Sequence, residues 1–183
     1  SQLHTFAQST DILRERDYWL AQLSKPFARF PEPECALVEA EPLKVMTFTL
    51  SASDTHFLLG EANQAYRTQI NEILLAALFL AYQRWSCRSV LRIDLEGHGR
   101  EALDNLDISD TVGWFTAIYP LVLEVESEHV ADVLKAVKEQ CRKVPRKGVG
   151  FSILKELIRD EQIRSLEQEQ RLGGIIFNYL GQF

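Results

Sequence analysis

At 183 residues, with 46% apolar and 25% charged side chains, the chain has the material for one globular core. Its 20 basic against 26 acidic residues leave a formal charge of −6, which excludes a strongly basic nucleic-acid surface, and no run of Lys and Arg offsets that balance. The longest apolar run, Ile73 to Tyr82, is too short to cross a bilayer, and the opening Ser1-Gln2-Leu3-His4-Thr5 lacks the pattern of a secretory signal. A cytoplasmic protein without membrane or nucleic-acid partners is expected.

From Leu3 to Leu23 apolar residues recur at helical spacing, and Ser9-Thr10-Asp11 interrupts them with an N-cap, so two helices are expected. Tyr18 and Trp19 read as packing anchors of the second. Lys25 to Pro42 holds four prolines and is expected to be an irregular crossing loop. Leu43 to Leu50 alternates well enough to predict a half-buried strand. Ser51, Ser53 and Asp54 then cap a helix running to about Tyr66. A further helix from Thr68–Asn71 to about Trp85 is apolar nearly all round, which predicts burial against a sheet.

Val90 to Asp94 reads as a short strand, followed by an acidic, irregular stretch from Ala102 to Thr111. A second strand is expected over Ile118–Val125, with Pro120 marking an edge or a strand entry. Val130, Val133, Leu134, Val137 and Cys141 form the apolar stripe of an amphipathic helix over His129–Lys143. Pro145 to Gly150 is a loop. Ile153 to Gln170 reads as one charged helix stopped by Gly173-Gly174, and Ile175–Leu180 as a closing buried strand. Strands alternating with helices predict an α/β layered architecture.

Cys35, Cys87 and Cys141 are odd in number and far apart, so they read as packing residues rather than as a zinc or redox motif. The four histidines are equally scattered. No metal is expected.

The densest concentration of chemistry is Asp94-Leu95-Glu96-Gly97-His98-Gly99-Arg100-Glu101. Glycine tolerates the backbone angles of a sharp turn, so a strand ending here would present Glu96 and His98 at the mouth of a sheet. From the residues alone this is either a solvated surface turn or a functional loop.

Glu96 to Glu101 resembles the EGHGRE signature of epimerization domains of nonribosomal peptide synthetases, relatives of the condensation domains. Two further motifs follow in the family's order: Thr111-Val112-Gly113-Trp114-Phe115-Thr116-Ala117-Ile118-Tyr119-Pro120, and Phe177-Asn178-Tyr179-Leu180-Gly181. Pro145 to Gly150 resembles a fourth, PxxGxGYG, except that Phe151-Ser152 stands where Tyr-Gly is usual. The resemblance implies a chloramphenicol-acetyltransferase-like two-layer sandwich, in which two lobes form a V around a channel. The first-lobe motif HHxxxDG is absent, since no His-His pair occurs in the chain. Residues 1–183 are therefore expected to be the C-terminal lobe only, with the N-terminal lobe missing.

The implied reaction inverts the Cα of an aminoacyl or peptidyl thioester held on the 4'-phosphopantetheine of a peptidyl carrier protein domain, so no cofactor is expected inside this chain. Removing the weakly acidic Cα proton needs a base within reach, stabilisation of the enolate oxygen and an acid on the opposite face. Carried over by position, Glu96 is the catalytic carboxylate, preferred over Glu101, and the missing lobe supplies the opposing group. His98 is either a general base or a hydrogen-bonded turn residue. Asn178 and Tyr179 either pack at a strand end or position the glutamate and thioester. Gly113, Trp114, Phe115 and Arg100 are assigned to the substrate channel, Arg100 alternatively bracing the turn. Arg146 and Lys147 are either solvated loop charges or contacts for the pantetheine phosphate. Alone, the lobe is expected to be inactive. The alternatives are a condensation lobe forming peptide bonds between carrier-bound substrates and a non-catalytic lobe that docks carrier proteins.

Overall fold

A computed structural model describes residues 2–27, 44–100, 108, 110–169 and 174–181. The expected break at Ser9 separates α1 (Gln2–Ala7) from α2 (Thr10–Leu23). Trp19 of α2 is fully buried and meets Tyr18, Phe151 and Tyr119 at ring-centroid distances of 5.0, 5.1 and 6.0 Å. It therefore ties the N-terminal helices to the sheet. The proline-rich crossing loop falls largely outside the described residues, as do Cys35 and Glu101.

Residues 44–50 do not form the expected strand. Among the described residues they join no sheet, and Val45, Met46 and Phe48 are 78%, 79% and 85% exposed. Alternation supplies one apolar face, but a strand also needs a neighbour to take its backbone hydrogen bonds. α3 (Ala52–Phe57) starts at Ser51, whose hydroxyl accepts the Asp54 N–H at 3.1 Å. It continues through a wider turn over Leu58–Ala62 into α4 (Asn63–Tyr66).

α5 (Ile70–Ser86) begins with a capping box in which the Glu72 carboxylate accepts the Gln69 N–H at 2.8 Å. Leu75, Ala76, Phe79, Leu80 and Tyr82 are buried, whereas Ala77, Ala81 and Trp85 are exposed, so the helix is covered on one side rather than nearly all round. It lies against α6 (Val130–Arg142), where Val133, Leu134 and Val137 of the expected stripe are buried, Cys141 is half-buried and Val130 at the start is 60% exposed.

The sheet of the described residues has the order β2-β1-β3. β1 (Val90–Gly97) runs antiparallel to β2 (Ala117–Glu124) and parallel to β3 (Ile175–Phe177). Pro120 lies in β2, an outer strand, where its missing N–H can face away from the ladder. Leu91, Ile93 and Leu95 alternate onto the core face with Tyr119, Leu121 and Leu123.

The expected loop at Pro145–Gly150 is a turn over Pro145–Gly148 leading into α7 (Val149–Ser152), and the segment expected as one long helix, Ile153 to Gln170, is broken into a wider turn at Ile153–Ile158 and α8 (Glu161–Glu169). The break falls at Arg159, which is left-handed at φ 59°, and Asp160 restarts the helix by accepting the Ile163 N–H at 3.0 Å. The closing strand is also shorter and less buried than expected. β3 spans three residues, Ile176 is 63% exposed, and Asn178 to Leu180 lie beyond it.

Candidate functional site

β1 runs three residues further than its apolar run suggests, so Glu96 stands on the strand itself, one residue before its end. The register then decides its neighbours. Glu96 lies opposite Ile118 on β2, and Leu95 opposite Phe177 on β3, so the residue after Phe177 falls beside Glu96 on the same face. That residue is Asn178, whose side-chain amide donates to the Glu96 carboxylate at 2.9 Å. Two residues 82 apart in sequence are brought into contact by parallel pairing.

Glu96 is half-buried and forms part of the wall of a cavity of about 340 Å³ where the ends of β1 and β3 meet α5 and α6. Leu75, Leu95, Val144 and Phe177 supply apolar wall, and Tyr179 lines the same space. Here too is a pair with no sequence signal of its own. Arg142 Nε lies 3.0 Å from Glu72 Oε1 and its Nη2 donates to the Arg67 carbonyl at 2.7 Å. The Gln69-x-x-Glu72 capping box is readable in the sequence; its partner, 70 residues away, is not. Cys141 also lines the cavity, and burial pushes its thiol up to about 12, which keeps it neutral.

His98 is exposed, and its Nδ1 accepts the backbone N–H of Arg100 at 3.0 Å, a contact that shapes the turn. Gly99 is obligatory there, with φ +66° and with Phe115 O only 1.5 Å from where a Cβ would stand. Arg100 braces the next motif. Its guanidinium donates to the carbonyls of Ile108, Thr111 and Gly113 at 2.8, 3.0 and 3.4 Å and stacks 4.4 Å from the Phe115 ring centroid. Phe115 lines a second, mainly apolar cavity of about 330 Å³ with Gly99, Ala117 and Val149. Trp114, at 89% exposed, and Gly113 lie on the surface and do not line the Glu96 cavity.

Arg146 is not a solvated loop charge. It is ion-paired with the buried Glu15 of α2, reaches Asp11 at 3.5 Å and lies 5.2 Å from the Phe6 ring centroid. The turn it anchors is unusual: Arg146, Lys147 and Gly148 are left-handed in succession, at φ 42°, 45° and 86°. Lys147 is exposed and borders the Glu96 cavity. Among the described residues no three His, Cys, Asp or Glu side chains converge as a metal ion would require, and no helix is long and apolar enough to cross a membrane.

This α/β arrangement, with the signature carboxylate at a strand end, belongs to the condensation domain family: the family's model matches residues 1–182. Its curated relatives are peptide synthetases. The chain is 41% identical to bacitracin synthase 3 of Bacillus licheniformis over 180 residues, covering 97% of this chain and 3% of that protein. It is 40% identical to tyrocidine synthase 1 of Brevibacillus parabrevis (99% and 17%) and 40% identical to surfactin synthase subunit 2 of Bacillus subtilis strain 168 (100% and 5%). It thus spans only a small part of each. Among solved structures, the epimerization domain from the third module of tyrocidine synthetase B superposes with a TM-score of 0.78 at 34% identity, over 85% of this chain and 36% of that one. The first condensation domain of the calcium-dependent antibiotic synthetase, in complex with a substrate analogue, gives a TM-score of 0.66 at 16% identity, over 100% and 38%. The chloramphenicol-acetyltransferase-like fold expected from the motifs is therefore the observed one, and the described residues amount to about one lobe of it.

Proposed function

We propose that this chain is the C-terminal lobe of an epimerization domain, which inverts the Cα of an aminoacyl or peptidyl thioester presented on the 4'-phosphopantetheine of a peptidyl carrier protein domain. The observation that carries the reading is the Glu96–Asn178 contact at the border of a cavity. A carboxylate oriented by an amide N–H keeps its second oxygen available for a proton, and its place at a strand end gives a substrate access to it. Glu96 takes the Cα proton from one face. A group on the N-terminal lobe returns a proton to the other, while donors at the channel stabilise the enolate oxygen. Likeness to a solved epimerization domain at 34% identity supports inversion over peptide-bond formation, as does the EGHGRE signature.

The test uses the full two-lobed domain with a loaded carrier. Glu96→Gln should abolish both inversion and deuterium wash-in at Cα. If inversion survives the substitution, Glu96 is not the acid/base group. If the domain instead joins two carrier-bound substrates, the condensation reading replaces this one; carrier binding with neither outcome would make it a docking lobe. The isolated 183-residue chain should leave an L-aminoacyl thioester unchanged.

A further inference from the structure

The cavity beside Glu96 has a chemistry of its own that proton transfer does not use. Its apolar wall comes from Leu75, Val144 and Phe177, on three different parts of the fold. Its inner charged wall, Glu72 and Arg142, is already satisfied, and the exposed Lys147 stands at its border. Arg142 is held by Glu72 and by the Arg67 carbonyl, and Glu72 Oε2 also accepts the Gln69 N–H that starts α5. The neutral Cys141 thiol completes it. At about 340 Å³ the space lies at the small end of ligand pockets, sized for one side chain and not for a peptide.

We propose that this cavity is the side-chain pocket of the reaction, and that it selects residues with an uncharged, bulky apolar side chain, aromatic or branched aliphatic. This rests on Glu96 being the group that meets Cα. With Cα at that carboxylate, the thioester leads out along the pantetheine arm, and the side chain takes the adjoining space. A charged side chain that passed the exposed Lys147 at the border and entered the space would have to compete for Glu72 or Arg142, each already engaged by its partner and by backbone, or lie unpaired against apolar wall. A large apolar side chain fills the space and leaves that pair intact.

The experiment follows deuterium wash-in at Cα in the full domain, with carriers bearing phenylalanyl, leucyl, alanyl, aspartyl or lysyl thioesters. In the unaltered domain, phenylalanyl and leucyl carriers should exchange at least about tenfold faster than aspartyl and lysyl carriers. Equal rates across the charged and uncharged carriers would overturn the assignment. Cys141→Phe or Val144→Phe, each checked by thermal melting, should slow the phenylalanyl carrier by about tenfold or more and leave the alanyl carrier within about twofold. Equal slowing of both, or of neither, in a folded variant would also overturn it. Glu96→Gln separates the two levels: exchange surviving that change removes the acid/base reading itself, whereas its loss together with a flat side-chain profile removes the pocket alone.

Discussion

Replacing Arg146 by Met isolates the contact that holds the left-handed turn to α2. Glu15 is 6% exposed and Arg146 is its partner, with Asp11 as a second, more solvated anion 3.5 Å from the guanidinium. Removing one member of a buried pair costs about 3–5 kcal/mol because the other charge stays behind. The Arg146 side chain is itself 26% exposed, so water can reach the vacated site, which places the expected loss at the low end, about 3 kcal/mol. Met is no better suited than Arg to φ 42°, so the backbone contributes nothing to the difference. For a chain of this size the loss corresponds to a fall in melting temperature of about 6–12 °C. Urea unfolding of Arg146→Met, of Glu15→Leu and of Glu15→Leu/Arg146→Met forms the check. The double variant should recover much of the stability, because no charge is left buried. A single-variant loss under about 1 kcal/mol, or a double variant worse than the sum of its parts, would refute the reasoning.

Gly148→Ala should destabilise by about 2–4 kcal/mol in the same assay, since its Cβ would fall 1.9 Å from the Tyr119 ring and its φ is +86°. Arg100→Met should speed amide exchange and proteolysis across residues 110–115, with exchange in β1 unchanged, because three carbonyl contacts to that loop are lost. In native protein at pH 8, iodoacetamide should label the exposed Cys87 and spare Cys141, with a thiolate fraction of about one in ten thousand. Because burial raises the Cys141 pKa from 9.0 to about 12, its contribution to stability is present in full below pH 9 and is lost as pH rises through about 12. Asn178→Ala in the full domain should lower turnover by about tenfold with carrier affinity unchanged, as one hydrogen bond to the Glu96 carboxylate disappears.

Local patterns carried far. The Ser9 break, the α6 stripe and the two long strands follow from polar interruption and apolar period, which act over one or two turns of chain and so are written where they operate, although the Ser9 hydroxyl makes no capping hydrogen bond. The same logic failed at 44–50 and at Arg159. Whether an alternating segment pairs depends on a neighbouring strand, and whether a charged helical run continues depends on a side chain such as Asp160 starting a new turn.

By itself the sequence determined the family, through motifs that mark Glu96, Asn178 and Tyr179 as a set, and the glycine that their turn requires. Only the tertiary structure decided that Asn178 touches Glu96, that Arg100 fastens one motif to the next, that Arg146 is a strut to the buried Glu15, and that Glu72 and Arg142 close one wall of the cavity. The reason is distance along the chain. These contacts join residues 11 to 131 positions apart, and strand register and helix packing, not local preference, fix which of them meet.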